Sequence, residues 1–150
     1  MKFTGALISF LFMLFFITTN HPVNAQERPD KYLQQMVDSV NHLLKTSPDG
    51  YVQFLLSVSM NGDASLLDSK QSGFRFNLFQ LKKGAIEDND AGIEFVPENI
   101  GSITTNKWIR FHTEKKVVAN IKFTATNEEL VKKIHGILLR IRSFVFDNAG

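Results

Sequence analysis

Two repeat lengths alternate along this chain. From Lys31 to Lys45 apolar residues return every third or fourth position. Leu33, Met36, Val37, Val40, Leu43 and Leu44 fall on one side of a helix, and Gln34, Gln35, Asp38, Asn41, His42 and Lys45 on the other. Asp30 stands where an N-cap is expected, and Ser47-Pro48-Asp49-Gly50 ends the helix and turns the chain. The period then drops to two. Val52, Phe54, Leu56, Val58 and Met60 alternate with polar residues such as Gln53, Ser57 and Ser59, the pattern of a strand with one buried face. Asn61-Gly62 follows and predicts a type I′ hairpin turn, because both central residues of that turn need positive φ. The return strand is expected at Asp63–Ser69.

Later strands follow the same logic. Phe74–Leu81 alternates, and Glu87–Gly92 reads as an acidic loop. Ile93–Val96 reads as a short strand that Pro97 either stops or confines to a sheet edge. A further short strand is expected at Ile100–Thr104, and a second hairpin joins Lys107–Thr113 to Val117–Thr124 around Glu114-Lys115-Lys116. Thr126 and Glu129 form a capping box for a closing helix. Leu130, Val131, Ile134, Ile137, Leu138 and Ile141 make its buried stripe, and Ser143–Phe146 is either its frayed end or a last strand. The expected fold is α+β: an N-terminal amphipathic helix, an antiparallel meander of about six to seven strands, and a C-terminal amphipathic helix.

The segment before the first helix is of another kind. Lys2 precedes the apolar run Gly5–Thr19, and the compact residues Val23-Asn24-Ala25 follow it, as in a cleaved export signal. The run falls short of the roughly 20 apolar residues that span a bilayer. Residues 1–25 are therefore expected to be a signal peptide and 26–150 a single α+β domain, exported to a periplasm or the outside of a cell, with a mature form that does not span the membrane. The chain has no cysteine. Its fold must rest on the core alone, and thiol catalysis, iron–sulfur clusters and cysteine zinc sites are excluded.

Charge is divided unequally. Residues 26–100 carry 7 basic and 11 acidic side chains, and residues 101–150 carry 9 basic and 4 acidic. Nucleic acid is not expected as the partner of an exported chain without a strong basic excess. The histidines His21, His42, His112 and His135 show no metal-ligand spacing. Asp88, Asp90, Gly92 and Glu94 fail the register of a calcium loop. No catalytic motif, metal site or cofactor fingerprint is present, and Glu128-Glu129 serve the helix start. A hydrolase with a triad assembled only in space is the least favoured reading.

The candidate binding residues come from the strands and their turns. Trp108, Arg110 and His112 alternate on one face of a strand, with Ile109 and Phe111 opposite, and tryptophan and arginine are common interface anchors. Lys82-Lys83 and Lys115-Lys116 sit at expected turns, where they either guard sheet edges or meet an anion.

The order of elements in residues 93–142, through the strand-to-helix junction Ile121–Leu130, resembles the second half of a pleckstrin-homology-like (PH-like) domain. The chain departs from that pattern in its leader, in a helix before the first strand and in placing Trp108 on a strand. The resemblance implies a rolled barrel plugged by the last helix, and a binding module for lipid headgroups or peptides without catalysis. The first helix, the hairpin VQFLLSVSMNGDASLLDS and the late helix are also similar to the C-terminal domain of TonB-type energy transducers, with a long insertion between them. The expected function is a small exported, non-catalytic binding protein with a protein, lipid or small-molecule partner. The alternative is a structural or assembly component of a cell-envelope complex.

Overall fold

A computed structural model of the chain describes residues 28–47, 54–82, 92–100, 103–124 and 127–149. Helix α1 spans Pro29–Lys45, and strands β1 (Leu55–Val58), β2 (Asp63–Leu67) and β3 (Gly73–Asn77) follow. After a 3-10 turn at Leu78–Gln80 come β4 (Ile93–Ile100), β5 (Ile103–His112), β6 (Val117–Thr124) and the closing helix α2 (Glu128–Asp147). The fold is α+β, and the described residues form two helices and six antiparallel strands. The strands form two three-stranded sheets, ordered β1-β2-β3 and β4-β5-β6, in place of one continuous meander, and the described residues make no closed barrel. Strand β3 meets β6 of the other sheet, and the Phe76 ring of β3 stands 4.9 Å from the Phe111 ring of β5.

Periodicity decided the helices. The expected stripe of α1 buries Leu33, Val37, Val40 and Leu44, and that of α2 buries Val131, Ile134, Ile137, Leu138 and Ile141. Both stripes join the inner faces of the sheets in one core with Leu56, Leu66, Ile109, Phe111, Ile121 and Phe123. The helices lie side by side, with Tyr32 early in α1 against Phe144 late in α2 at 5.1 Å.

The helix ends differ from expectation in detail. Arg28 holds the N-cap position of α1, Pro29 is the first helical residue, and Asp30 lies inside the first turn, where its charge suits the helix dipole. Asn127 caps α2: its side-chain oxygen accepts from the Glu129 N–H at 2.8 Å. Thr126 lies outside the described residues. Ser143–Phe146 continues the helix, because Val145 completes the buried stripe at the next turn.

Three strand readings change. The β1–β2 hairpin has no type I′ turn, since only Gly62 has positive φ (83°). Gly62 N–H donates to the Ser59 carbonyl and Ser59 N–H to the Asp63 carbonyl, each at 3.0 Å, which encloses the three-residue loop Met60–Gly62. Side chains fix this choice. Asn61 bonds Ser59 and Asp63, and Asn77 Nδ2 donates to the Asn61 carbonyl at 3.2 Å. Strand β3 stops at Asn77, short of Leu81, because the Asn77 side chain accepts from the Phe79 N–H and starts the 3-10 turn. Strand β4 runs through Pro97 to Ile100, and β5 begins at Ile103. Pro97 is tolerated there because, among the described strands, β4 pairs with β5 alone and its other edge needs no donor. Val52 and Gln53 lie outside the described residues, as does most of the acidic loop.

Candidate functional site

Strand β5 is the central strand of the second sheet, hydrogen-bonded to β4 on one side and β6 on the other. Its inward side chains Ile109 and Phe111 are fully buried with Ile121 and Phe123 of β6 and the apolar stripe of α2. Alternation then places Trp108, Arg110 and His112 on the outer face, each half-buried. Helix α2 packs on the inner face of this sheet, against β4 and β5.

The register adds neighbours that single-strand reasoning missed. Lys122 pairs with Trp108 across the β5–β6 ladder, and Glu94 and Asn120 flank Arg110. The Lys122 ammonium stands 5.1 Å from the centre of the Trp108 ring and the Arg110 guanidinium 5.6 Å from it. The ring's electron-rich face attracts both cations. They surround the chain's single tryptophan.

The turn lysines gather at one end of this face. At the β5–β6 hairpin Thr113 N–H donates to the Lys116 carbonyl at 2.9 Å, and Lys115 and Lys116 are exposed at the tip, beside Val117, which is 49% exposed. Lys82 reaches the same end through its backbone: its N–H donates to the His112 carbonyl at 2.9 Å. Lys83 lies outside the described residues. Of the seven residues singled out in the sequence, Trp108, Arg110 and His112 therefore share one face, and Lys82, Lys115 and Lys116 border its His112 end.

Two cations are buried among the described residues. Lys107, which opens the second hairpin of the sequence analysis, shares the inner face with Ile109 and is 8% exposed. Arg142 is the other buried cation, 9% exposed on α2. One guanidinium nitrogen donates to the Lys82 carbonyl at 3.2 Å, the group lies 4.4 Å from the Phe146 ring centre, and Nε has no partner. Burial lowers its pKa.

Other surfaces carry less. A groove of about 560 Å³ along the helix pair is lined by Asp38, His42, Leu43, Lys133 and Arg140. Both signs of charge occur there, so no ligand charge is selected. His135 Nε2 lies 2.6 Å from the Ile93 carbonyl and ties α2 to β4. Among the described residues no three His, Asp or Glu side chains gather as a metal site, and no helix is long and apolar enough to cross a membrane. No family model, curated protein or solved structure matches the chain.

Proposed function

We propose that this chain is an exported, non-catalytic binding protein that recognises an anionic partner through the outer face of its second sheet. One observation carries the reading: the Lys122 and Arg110 cations both stand near the Trp108 ring, on the face of the sheet opposite the buried Ile109 and Phe111. A large ring held by its neighbours offers contact area at low entropic cost, and the flanking cations select negative charge. The leader-like run Gly5–Thr19 supports the exported setting. The likeness to PH-like domains belongs to the same proposal; the approach of β3 to β6 and the helix α2 packed on β4 and β5 support it.

The test compares two charge-reversed pairs that change net charge equally. Arg110→Glu with Lys122→Glu alters the proposed face, and Lys133→Glu with Arg140→Glu alters the helix pair. Each is titrated with polyglutamate and with a sulfated polysaccharide while Trp108 emission is followed. Saturable binding lost only in the first pair, with both pairs still folded by circular dichroism, supports the proposal. Equal loss in both pairs reduces the effect to net charge and removes it.

A further inference from the structure

We infer that the partner of this face is an extended acidic peptide segment with carboxylates at alternate positions, lying along β5; the inference rests on the binding role proposed above. Same-face residues on a strand repeat about every 6.8 Å. Trp108, Arg110 and His112 mark three such rungs on β5, and Lys122 stands beside the first. The face thus presents Lys122, then Arg110, then the His112 ring, with Lys115 and Lys116 beyond them at the hairpin tip. Glu94 faces Arg110 from β4 and Glu114 is exposed at the hairpin tip, so the β5–β6 half is positive through Arg110, Lys122, Lys115 and Lys116 against one carboxylate.

A second extended chain has the same repeat, so its residues i, i+2 and i+4 come level with the three rungs. The geometry fits other anions less well. A compact anion such as phosphate needs several donors converging on one point, whereas only Lys122 and Arg110 meet at the Trp108 ring and Lys115 and Lys116 stand at the hairpin tip. A bilayer is best served by exposed apolar anchors, and of the exposed large apolar residues among those described, Tyr32, Leu55, Phe79 and Val117, only Val117 borders this face. Trp108 itself is flanked by charge and offers no free wedge.

The probes are three blocked synthetic peptides of equal charge: an alternating Glu-Thr-Glu-Thr-Glu, a block Glu-Glu-Glu-Thr-Thr, and a longer one with glutamates four residues apart at helical spacing. Trp108 emission reads all three. The alternating peptide is expected to bind tightest, in the millimolar range for a few exposed ion pairs, and to weaken about threefold in Arg110→Gln and again in Lys122→Gln. Raising the salt concentration is expected to weaken it further. Equal binding of alternating and block peptides, or tighter binding at helical spacing, overturns the extended register. Polyglutamate or polysaccharide binding to the face with none of the short peptides overturns the inference and leaves the binding role standing. Failure of every polyanion removes both.

Discussion

Asn41 on α1 and the backbone of Leu56 on β1 are joined by two opposed hydrogen bonds. The Asn41 amide donates to the Leu56 carbonyl at 2.9 Å, and its oxygen accepts from the Leu56 N–H at 2.7 Å. Strand β1 is an edge strand, so these are the groups that another strand would take. The amide supplies both partners and covers that point of the edge. Asn41→Leu is expected to cost about 1–3 kcal/mol, because it leaves two half-buried polar groups unpaired. Urea unfolding measures it. A loss below about 0.5 kcal/mol shows that water replaces the amide without cost. Concentration-dependent association of the variant is the accompanying sign of an opened edge.

Two glycines should respond to alanine in opposite directions. Gly73 has φ 144°, and an added Cβ would stand 2.1 Å from the Leu66 carbonyl oxygen, so the β2–β3 pairing must shift. The expected cost is about 2 kcal/mol or more. Gly136 lies inside α2 with nothing within 4 Å of the added carbon. Alanine there restricts the unfolded chain and favours the helix, for a gain of about 0.5–1 kcal/mol. Thermal melts of both variants give the signs directly, and destabilisation by Gly136→Ala contradicts the open space beside it.

How far the sequence reached depended on the range of the interaction. The helix stripes and the division of β5 into Trp108-Arg110-His112 and Ile109-Phe111 were legible, because 3.6- and two-residue periods are local properties. Asn41 was placed among the solvent residues, since a helical wheel does not show a strand edge arriving beside it. Lys122 next to Trp108 required the β5–β6 register, which the hairpin around Glu114-Lys115-Lys116 suggested but did not fix; a shift lies between Phe111 and His112. The split into two sheets depends on contacts between distant segments, such as Phe76 with Phe111. Asn61-Gly62 misled because the dipeptide's turn preference yielded to the bonds that Asp63 and Asn77 make to Asn61.

Arg142 tests the cost of a buried cation without a counter-charge. It keeps one bond to Lys82 and one ring contact, while Nε is unsatisfied. Methionine retains the length and removes the desolvated charge. Arg142→Met is expected to be neutral or to stabilise by about 1 kcal/mol, whereas Arg142→Ala leaves a cavity and costs about 2 kcal/mol. A large loss in the methionine variant assigns the guanidinium a structural role through the Lys82 carbonyl.

At the start of α2 the Lys132 ammonium lies 2.7 Å from a Glu128 oxygen. The hydrogen bond from Lys132 and then its charge lower the Glu128 pKa, and Glu128 in turn raises that of Lys132. A carboxylate held below its unfolded value contributes stability above that value and loses it as pH falls through the depressed folded pKa. Both groups are exposed, so the effect is small and screened by salt. The difference in urea midpoint between wild type and Lys132→Met is expected to be present at neutral pH and to vanish in acid. A difference that persists below the carboxylate range rules out the ion pair as its source.

Neighbouring residues of β5 separate binding surface from core. Trp108 is half-buried, with two cations near its ring and Val96 opposite it on β4, whereas Ile109 is fully buried between the sheet and α2. Truncating Ile109 to alanine removes buried methylenes and leaves a cavity, a loss of about 2–5 kcal/mol. Trp108→Ala exposes the stems of Lys122 and Arg110 and releases two cation–π contacts of about 0.5–1 kcal/mol each, so its expected cost is about 1–2 kcal/mol. The pair is measured by urea unfolding with circular dichroism, because the substitution removes the chain's tryptophan signal. If Trp108→Ala costs as much as Ile109→Ala, the ring belongs to the core and its exposed face cannot carry the binding role. If the costs separate as expected, loss of polyanion binding by a folded Trp108→Ala variant, followed by labelled polyglutamate, becomes interpretable as loss of the surface itself.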